Sequence, residues 1–215
     1  ASVLLDYRRL PETTSDVVVI DTDSRSLSGE EAYRRVAEVC DFLMKQQKFD
    51  ILYKKIDSTM RGNIGAELDA VYHHIRPDFI IIAPSFPQNG RVVREGYMYV
   101  HGVPLHETDA ALDPKNPVSR SYLPDLLKEQ TKHPVAVVKT EELRGDADAL
   151  KEKLRRCREE QIPYLLFDAE TDADLQRIVS FVRQSGFDVV WSGSAALARA
   201  LSRQLFHSER DGMAV

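Results

Sequence analysis

Cysteine is scarce in this chain, with two in 215 residues, Cys40 and Cys157. Neither has a CxxC partner or a nearby histidine, and both fall in helical patterns, so a disulfide framework is excluded and reduced, structural thiols are expected. No stretch approaches the roughly 20 apolar residues of a membrane span, and no charged-then-apolar leader opens the chain. Basic runs are missing too. The densest, LRRCRE at 154–159, has acids around it and reads as a solvated helix face; with a net charge of −5 this argues against a nucleic-acid surface. The histidines include His101 and His106, whose spacing lies in a loop and does not put both rings on one helix face, so no metal site is read. A GxxxxGK loop followed by Ser or Thr is absent, as is a GxGxxG turn opening a helix. No internal repeat, low-complexity tract or linker interrupts the chain.

What is present is ordinary for a soluble globular protein, with 43% apolar and 29% charged residues. A chain of this length holds one substantial core, and one domain is expected. Apolar strands alternate with helical patterns. Strands are read at 17–20, 51–53, 79–83, 135–138, 164–167 and 189–191, and SVLLDY at the start reads as another. Helical patterns follow through Ala32, Val36, Val39, Cys40 and Leu43, from Gly62, from about Asp146, from about Ala173 and from about Ala195, and Ser28 with Glu31 forms a capping box. This alternation predicts an α/β fold in three layers, a mostly parallel sheet with helices on both faces. Between about 84 and 134 the alternation breaks into an inserted hairpin and loop region. There VREGYMYVHGVPL reads as a hairpin turning at His101-Gly102, with Tyr97 and Tyr99 on one face, and a helix is read near 121–132. The hairpin is either a structural flap or a lid.

The densest chemistry lies in KKIDSTMRGNIG, residues 54–65. It stands between an apolar strand and a helix, where the first amides of the helix are unpaired and its dipole is positive, so it reads as an anion pocket. Arg61 offers a planar fork for a carboxylate; Ser58, Thr59 and the amides of Gly62 and Asn63 offer donors for further oxygens. Asp57 either accepts from a ligand hydroxyl or holds Arg61 or Lys55, and it is the local candidate for a catalytic acid. Lys54 and Lys55 are expected on opposite faces, with Lys55 in the pocket. The plain alternative is that Ser58 or Thr59 caps the helix and Arg61 pairs with Asp57 or Glu67.

Other polar turns follow the other strands. Ligands of open parallel sheets bind beyond the carboxyl ends of the strands, so the turns starting at Asp21, Asp57, Pro84 and Ser192 are expected to converge on one edge. Ser24 and Arg25 belong to the first, Asn89, Gly90 and Arg91 to the third, and Ser192, Gly193 and Ser194 to the fourth. Each has a structural alternative: a turn leading into a helix for the first, a plain turn for Asn89-Gly90, and hydroxyl capping with close glycine packing for the last.

Four segments, VVIDTDSRSLSGEEA, YKKIDSTMRGNIGAELDAV, APSFPQNGRVVREGYMYVHGVPLHETDAALDPKNPVS and WSGSAALARAL, run in this order from Val17 to Leu201. Together they resemble the N-terminal domain of the four-carbon acid sugar kinases. The resemblance implies an ATP-dependent kinase acting on small sugar acids such as threonate or erythronate. The acid would bind in this domain, and ATP with Mg²⁺ largely in a second one. Residues 1–215 would then be the N-terminal sugar-acid-binding domain of a two-domain kinase whose C-terminal nucleotide-binding domain is absent. Ser24 and Arg25 are similar to the family's TxSR loop. Glu107, Thr108 and Asp113 are similar to its ETxxAxDP run, where Asp113 before Pro114 reads as a turn former. The family's upstream acidic turn, DDLTG, does not occur here, and the catalytic role falls either to it or to Asp57. The chain opens at Ala1 in a strand already under way and stops at Val215, so it is expected to be a fragment at both ends and inactive alone. A cytoplasmic location is expected, and the resemblance is compatible with a homodimer. The competing readings are a non-catalytic sugar-acid or anion-binding regulatory domain, and a lyase or hydrolase using Asp57 and His106, which no spacing ties together.

Overall fold

The computed structural model describes residues 1–46 and 49–207. Strands β1 (Ser2–Leu4) and β2 (Val18–Ile20) pair in parallel as a small sheet of their own, and α1 (Gly29–Gln46) follows. Then come β3 (Tyr53–Lys55), α2 (Ile64–Ile75) and β4 (Phe79–Ala83). An antiparallel meander is built from β5 (Arg91–Arg94), β6 (Tyr97–Val100) and β7 (Val103–Pro104). The remainder is α3 (Leu123–Lys128), β8 (Val135–Val138), α4 (Thr140–Arg144), α5 (Ala147–Glu159), β9 (Tyr164–Phe167), α6 (Asp172–Ser185), β10 (Val189–Gly193) and α7 (Ala195–His207).

Five of these strands form one parallel sheet in the order β3-β10-β4-β9-β8. Strands β4 and β9 are apolar at every position because both faces of the sheet are covered there. Alternate side chains sort into two cores. Ile80, Ile82, Leu166 and Val190 pack against α1, α2 and α3, whereas Phe79, Ile81, Phe167 and Trp191 pack against α4 to α7. This is the three-layer arrangement that the alternation predicts.

Several boundaries differ from expectation. The third strand runs two residues later than 51–53, because β10 pairs its Trp191, Ser192 and Gly193 with Tyr53, Lys54 and Lys55. That shift carries both lysines to the end of the sheet. The next helix starts at Ile64 instead of Gly62, since Gly62 has φ 101 and lies outside helical space. The helix expected near 121–132 is confined to Leu123–Lys128. The expected single hairpin is a three-stranded meander with two turns, Glu95-Gly96 and His101-Gly102, all four residues at positive φ. Met98 is fully buried and Tyr97 exposed, as the alternation requires. Only half of the Ser28 capping box forms. Glu31 N donates to Ser28 Oγ (3.2 Å), but the Glu31 carboxylate turns to Arg34. Cys40 and Cys157 are both free and buried.

Candidate functional site

All five strands of the main sheet point the same way, so the turns after β3, β4, β9 and β10 share one edge. The turn after β2 joins them, because Asn63 Nδ2 donates to the backbone oxygens of Ser24 (3.1 Å) and Leu27 (2.8 Å). A cleft of about 290 Å³ opens between residues 21–25, 54–57 and 61–64, with Glu67 at its base.

Asp57 stands at the centre. Its Oδ2 accepts from Thr59 Oγ1 (2.7 Å) and Arg61 Nε (2.7 Å), and Arg25 Nη2 lies 3.9 Å away. Its Oδ1 has no hydrogen bond among the described residues. Burial pushes this carboxyl up, but the bonds from Arg61 and Thr59, with the charges of Arg61 and Arg25, outweigh it and hold the group below the usual carboxylate range. It is therefore ionised at neutral pH. Arg61 gives its second nitrogen, Nη1, to Asp113 Oδ2 (3.2 Å), and Arg25 Nη2 comes to 3.8 Å from the same oxygen.

Both lysines line the cleft, contrary to the expectation that only one does. Lys54 continues the strand on the α2 side and pairs with Glu67 Oε2 at 2.5 Å; Lys55 Nζ donates to Ile56 O at 2.7 Å. Burial lowers the Lys55 ammonium from its ordinary value; Asp57 opposes this, while Lys54 and Arg91 add to it. Arg91, at the start of β5, donates from Nη1 to Ser58 Oγ. Neither Lys55 nor Arg91 forms an ion pair among the described residues. Lys55 in the cleft, with Arg91 behind it, sets positive charge beside the ionised Asp57, which suits an anion with hydroxyls.

Of the residues expected from sequence, Ser24, Arg25, Lys55, Asp57, Arg61 and Gly62 line the cleft. Ser58, Thr59 and Arg91 stand behind it through the bonds just described. Ser24 spends its hydroxyl on Glu67 Oε1 (2.6 Å) and Thr22 Oγ1 (2.8 Å). At Gly62 an added Cβ would sit 3.0 Å from Arg25 Cγ, so the glycine permits the close approach of the two arginine-bearing loops. Asn89 and Gly90 form an exposed turn outside the cleft, and Ser192, Gly193 and Ser194 are fully buried beneath it, outside its lining. The amides opening α2 are partly spent: Gln130 Oε1 accepts from Gly65 N (2.8 Å) and Gln130 Nε2 donates to Gly62 O (3.0 Å). Lys54, Glu67 and Asp113 escaped the sequence reading as site residues. Glu67 had a signal, being the one acid of α2's first turn, and Lys54 another in its neighbour's role; Asp113 lies 52 residues from its partner.

A family model for the sugar-binding N-terminal domain matches residues 1–201. The chain belongs to this family. Among curated relatives, D-erythronate kinase of Heliobacterium modesticaldum is 36% identical over 92% of this chain and 45% of its own length. D-threonate kinase of Salmonella typhimurium is 34% identical over 99% of this chain and 50% of its own length. A solved structure from Bordetella bronchiseptica, a domain of unknown function with bound citrate in a domain-swapped dimer, superposes with a TM-score of 0.79 at 30% identity; 94% of this chain and 49% of that one are covered. The chain thus spans about half the length of the relatives it matches. Within this sugar-binding domain, no described helix is long and apolar enough to cross a membrane, and no group of three or more His, Cys, Asp or Glu among the described residues is placed to hold a metal.

Proposed function

We propose that residues 1–215 are the sugar-acid-binding N-terminal domain of an ATP-dependent kinase of four-carbon sugar acids of the threonate or erythronate type. The observation that carries this reading is the cleft in which Arg25, Arg61 and Lys55 surround an ionised Asp57 with one free oxygen. The relatives named as D-erythronate and D-threonate kinases supply the reaction class. The citrate bound by the Bordetella relative, itself a hydroxy acid, agrees with the ligand chemistry.

In this reading the substrate carboxylate meets the arginine pair, and Lys55 with Arg91 draws the remaining negative charge to the same edge. Asp57 Oδ1 accepts from the reacting hydroxyl and takes its proton as the oxygen receives the phosphoryl group from ATP. Phosphoryl transfer depends chiefly on positioning and charge stabilisation, which is what these residues offer. No run of this chain has a glycine-rich phosphate loop, so ATP and Mg²⁺ are assigned to the part of the relatives that this chain does not span. A homodimer in the cytoplasm completes the reading, by analogy with the Bordetella dimer.

The test is phosphorylation by the full-length protein. D-threonate, D-erythronate and 3-oxo-tetronate are offered with ATP, and ADP release is followed for the wild type and for Arg61→Lys. Lysine keeps the charge but cannot bond both Asp57 and Asp113 while facing a ligand. A charge-assisted contact is worth roughly 1.5–3 kcal/mol, so kcat/KM is expected to fall about tenfold to hundredfold with the melting temperature little changed. Near-normal turnover at subsaturating acid removes Arg61 from the site, and no turnover of any four-carbon acid by the wild type removes the reading. Residues 1–215 alone are expected to show no kinase activity.

A further inference from the structure

Asp113 reaches the cleft from the inserted region, and the two halves of its carboxylate do different work. Oδ1 accepts from the backbone amides of Lys115 (3.1 Å) and Asn116 (2.8 Å), which closes the turn that the Asp-Pro pair leads one to expect. Oδ2 accepts from Arg61 Nη1 at 3.2 Å and lies 3.8 Å from Arg25 Nη2. Those two amides, and then the charge of Arg61, hold the group below the usual carboxylate range. Arg61 is thereby gripped on two sides, at Nε by Asp57 and at Nη1 by Asp113, and only Nη2 is without a partner among the described residues.

We propose that Asp113 is a positioning residue that fixes the arginine pair for the substrate's acid group; this rests on the sugar-acid reading of the cleft. A guanidinium held by one carboxylate can swing about that contact, whereas one held at two nitrogens has its plane set. Arg25, whose side chain is about half exposed, also lies within reach of this second acceptor. A bound ligand then meets two oriented cations without ordering either side chain itself, and that saving appears as affinity. The alternative, that Asp113 is an internal stand-in for the substrate carboxylate and leaves when substrate arrives, is disfavoured by Oδ1. Rotating the carboxylate out would break both amide bonds that define its turn.

Asp113→Asn separates the two roles. An asparagine oxygen still accepts from Lys115 and Asn116, but the atom facing Arg61 becomes an amide nitrogen, which cannot accept. In the full-length protein, dissociation constants for D-threonate and D-erythronate and for their uncharged amides are measured by calorimetry, with melting temperature alongside. Expected is a weakening of about tenfold for the acids, little change for the amides, and a melting temperature that falls less than in Asp113→Ala. Asp113→Ala, which loses the turn as well, should weaken the acids at least as much and lower the melting temperature. Unchanged acid binding in Asp113→Asn reduces Asp113 to a turn former, and tighter binding makes it a competitor of the substrate; either result overturns the proposal. So does equal weakening of acids and amides, which marks a general distortion. A wild type that binds no four-carbon acid overturns the sugar-acid reading together with this one.

Discussion

Neighbouring strands β3 and β10 end on one edge of one sheet, and each end leads to a helix through two hydroxyls and a glycine: Ser58, Thr59 and Gly62 in the turn after β3, and Ser192 and Gly193 closing β10 with Ser194 just past it. The first is open and charged. Its glycine is an exit from helical geometry that lets Arg25 approach, and one Asp57 oxygen has no partner among the described residues. The second is closed upon itself. Ser194 Oγ donates to Ser85 O (2.6 Å) and accepts from Ala196 N (3.0 Å), capping α7, while Gly193 lets β10 and α7 pack against β4. Its one unspent group, Ser192 Oγ, is fully buried and out of reach of a ligand. At both turns the hydroxyls are bonded within the chain; what makes the first a site is the charged groups, Asp57 and Arg61, that it leaves lining the cleft.

The closed turn is most sensitive at Gly193. A Cβ there would fall 2.4 Å from the backbone oxygen of Ala83 and 2.7 Å from Leu197 Cδ2. The oxygen belongs to a central strand and cannot yield, so Gly193→Ala is expected to cost about 3 kcal/mol or more, at the upper end of overpacking penalties. Urea unfolding checks this. A variant of normal stability that loses sugar-acid binding would place Gly193 in the site and end the distinction between the two turns.

The fold was legible because its signals are periodic. Runs such as Phe79–Ala83 and Tyr164–Phe167 are apolar at every position, which announces strands covered on both faces, and the helices read from about Asp146, Ala173 and Ala195 begin within a residue of those positions. The cleft was legible where its residues are contiguous, from Lys55 to Gly62. What sequence does not contain is the accounting of partners. That Glu67 consumes the Ser24 hydroxyl, that Gln130 consumes the Gly65 amide, and that Asp113 reaches Arg61 are all contacts between segments 43 to 65 residues apart. Nor does an arginine reveal whether its fork faces ligand or protein; here Arg61 pairs with Asp57 as the plain alternative holds, and still lines the cleft.

The end of β9 sets another carboxylate on the same edge, and this one is bonded within the chain. Asp168 is 1% exposed and accepts from the amides of Glu95 (2.6 Å) and Gly96 (3.0 Å), clasping the turn between β5 and β6. Burial pushes its carboxyl from 3.8 up to about 6, with the two amides opposing. A folded-state value above the unfolded one means that the folded form binds the extra proton between those limits. The penalty of the buried charge is complete above about pH 6, and stability from this group returns as pH falls towards 3.8. Relative to Asp168→Asn, the wild type should therefore gain on the order of 2 kcal/mol between pH 7 and pH 4.5. Other carboxylates, Asp57 among them, act in the opposite direction, and the variant cancels them. A flat difference across that range would mean that the two amides keep Asp168 ionised throughout.

The smallest expected effect is the most direct test of the closed turn. Ser194→Ala removes the cap of α7 and the donor to Ser85 O but leaves Gly193 and the strand ladder in place. Loss of a serine cap costs about 1 kcal/mol, and because the Ser194 hydroxyl and the Ala196 amide it caps are buried, that amide would be left without water to replace the bond. In the full-length protein the KM for sugar acid should be unchanged, because the Ser194 hydroxyl is bonded on both its donor and its acceptor side within the chain. Ser24→Ala offers the contrast at the open turn. Its hydroxyl holds Glu67 at the base of the cleft, and removing it should raise KM while costing stability by a similar amount. If instead Ser194→Ala raises KM and Ser24→Ala does not, the open and the closed turn have been assigned the wrong way round.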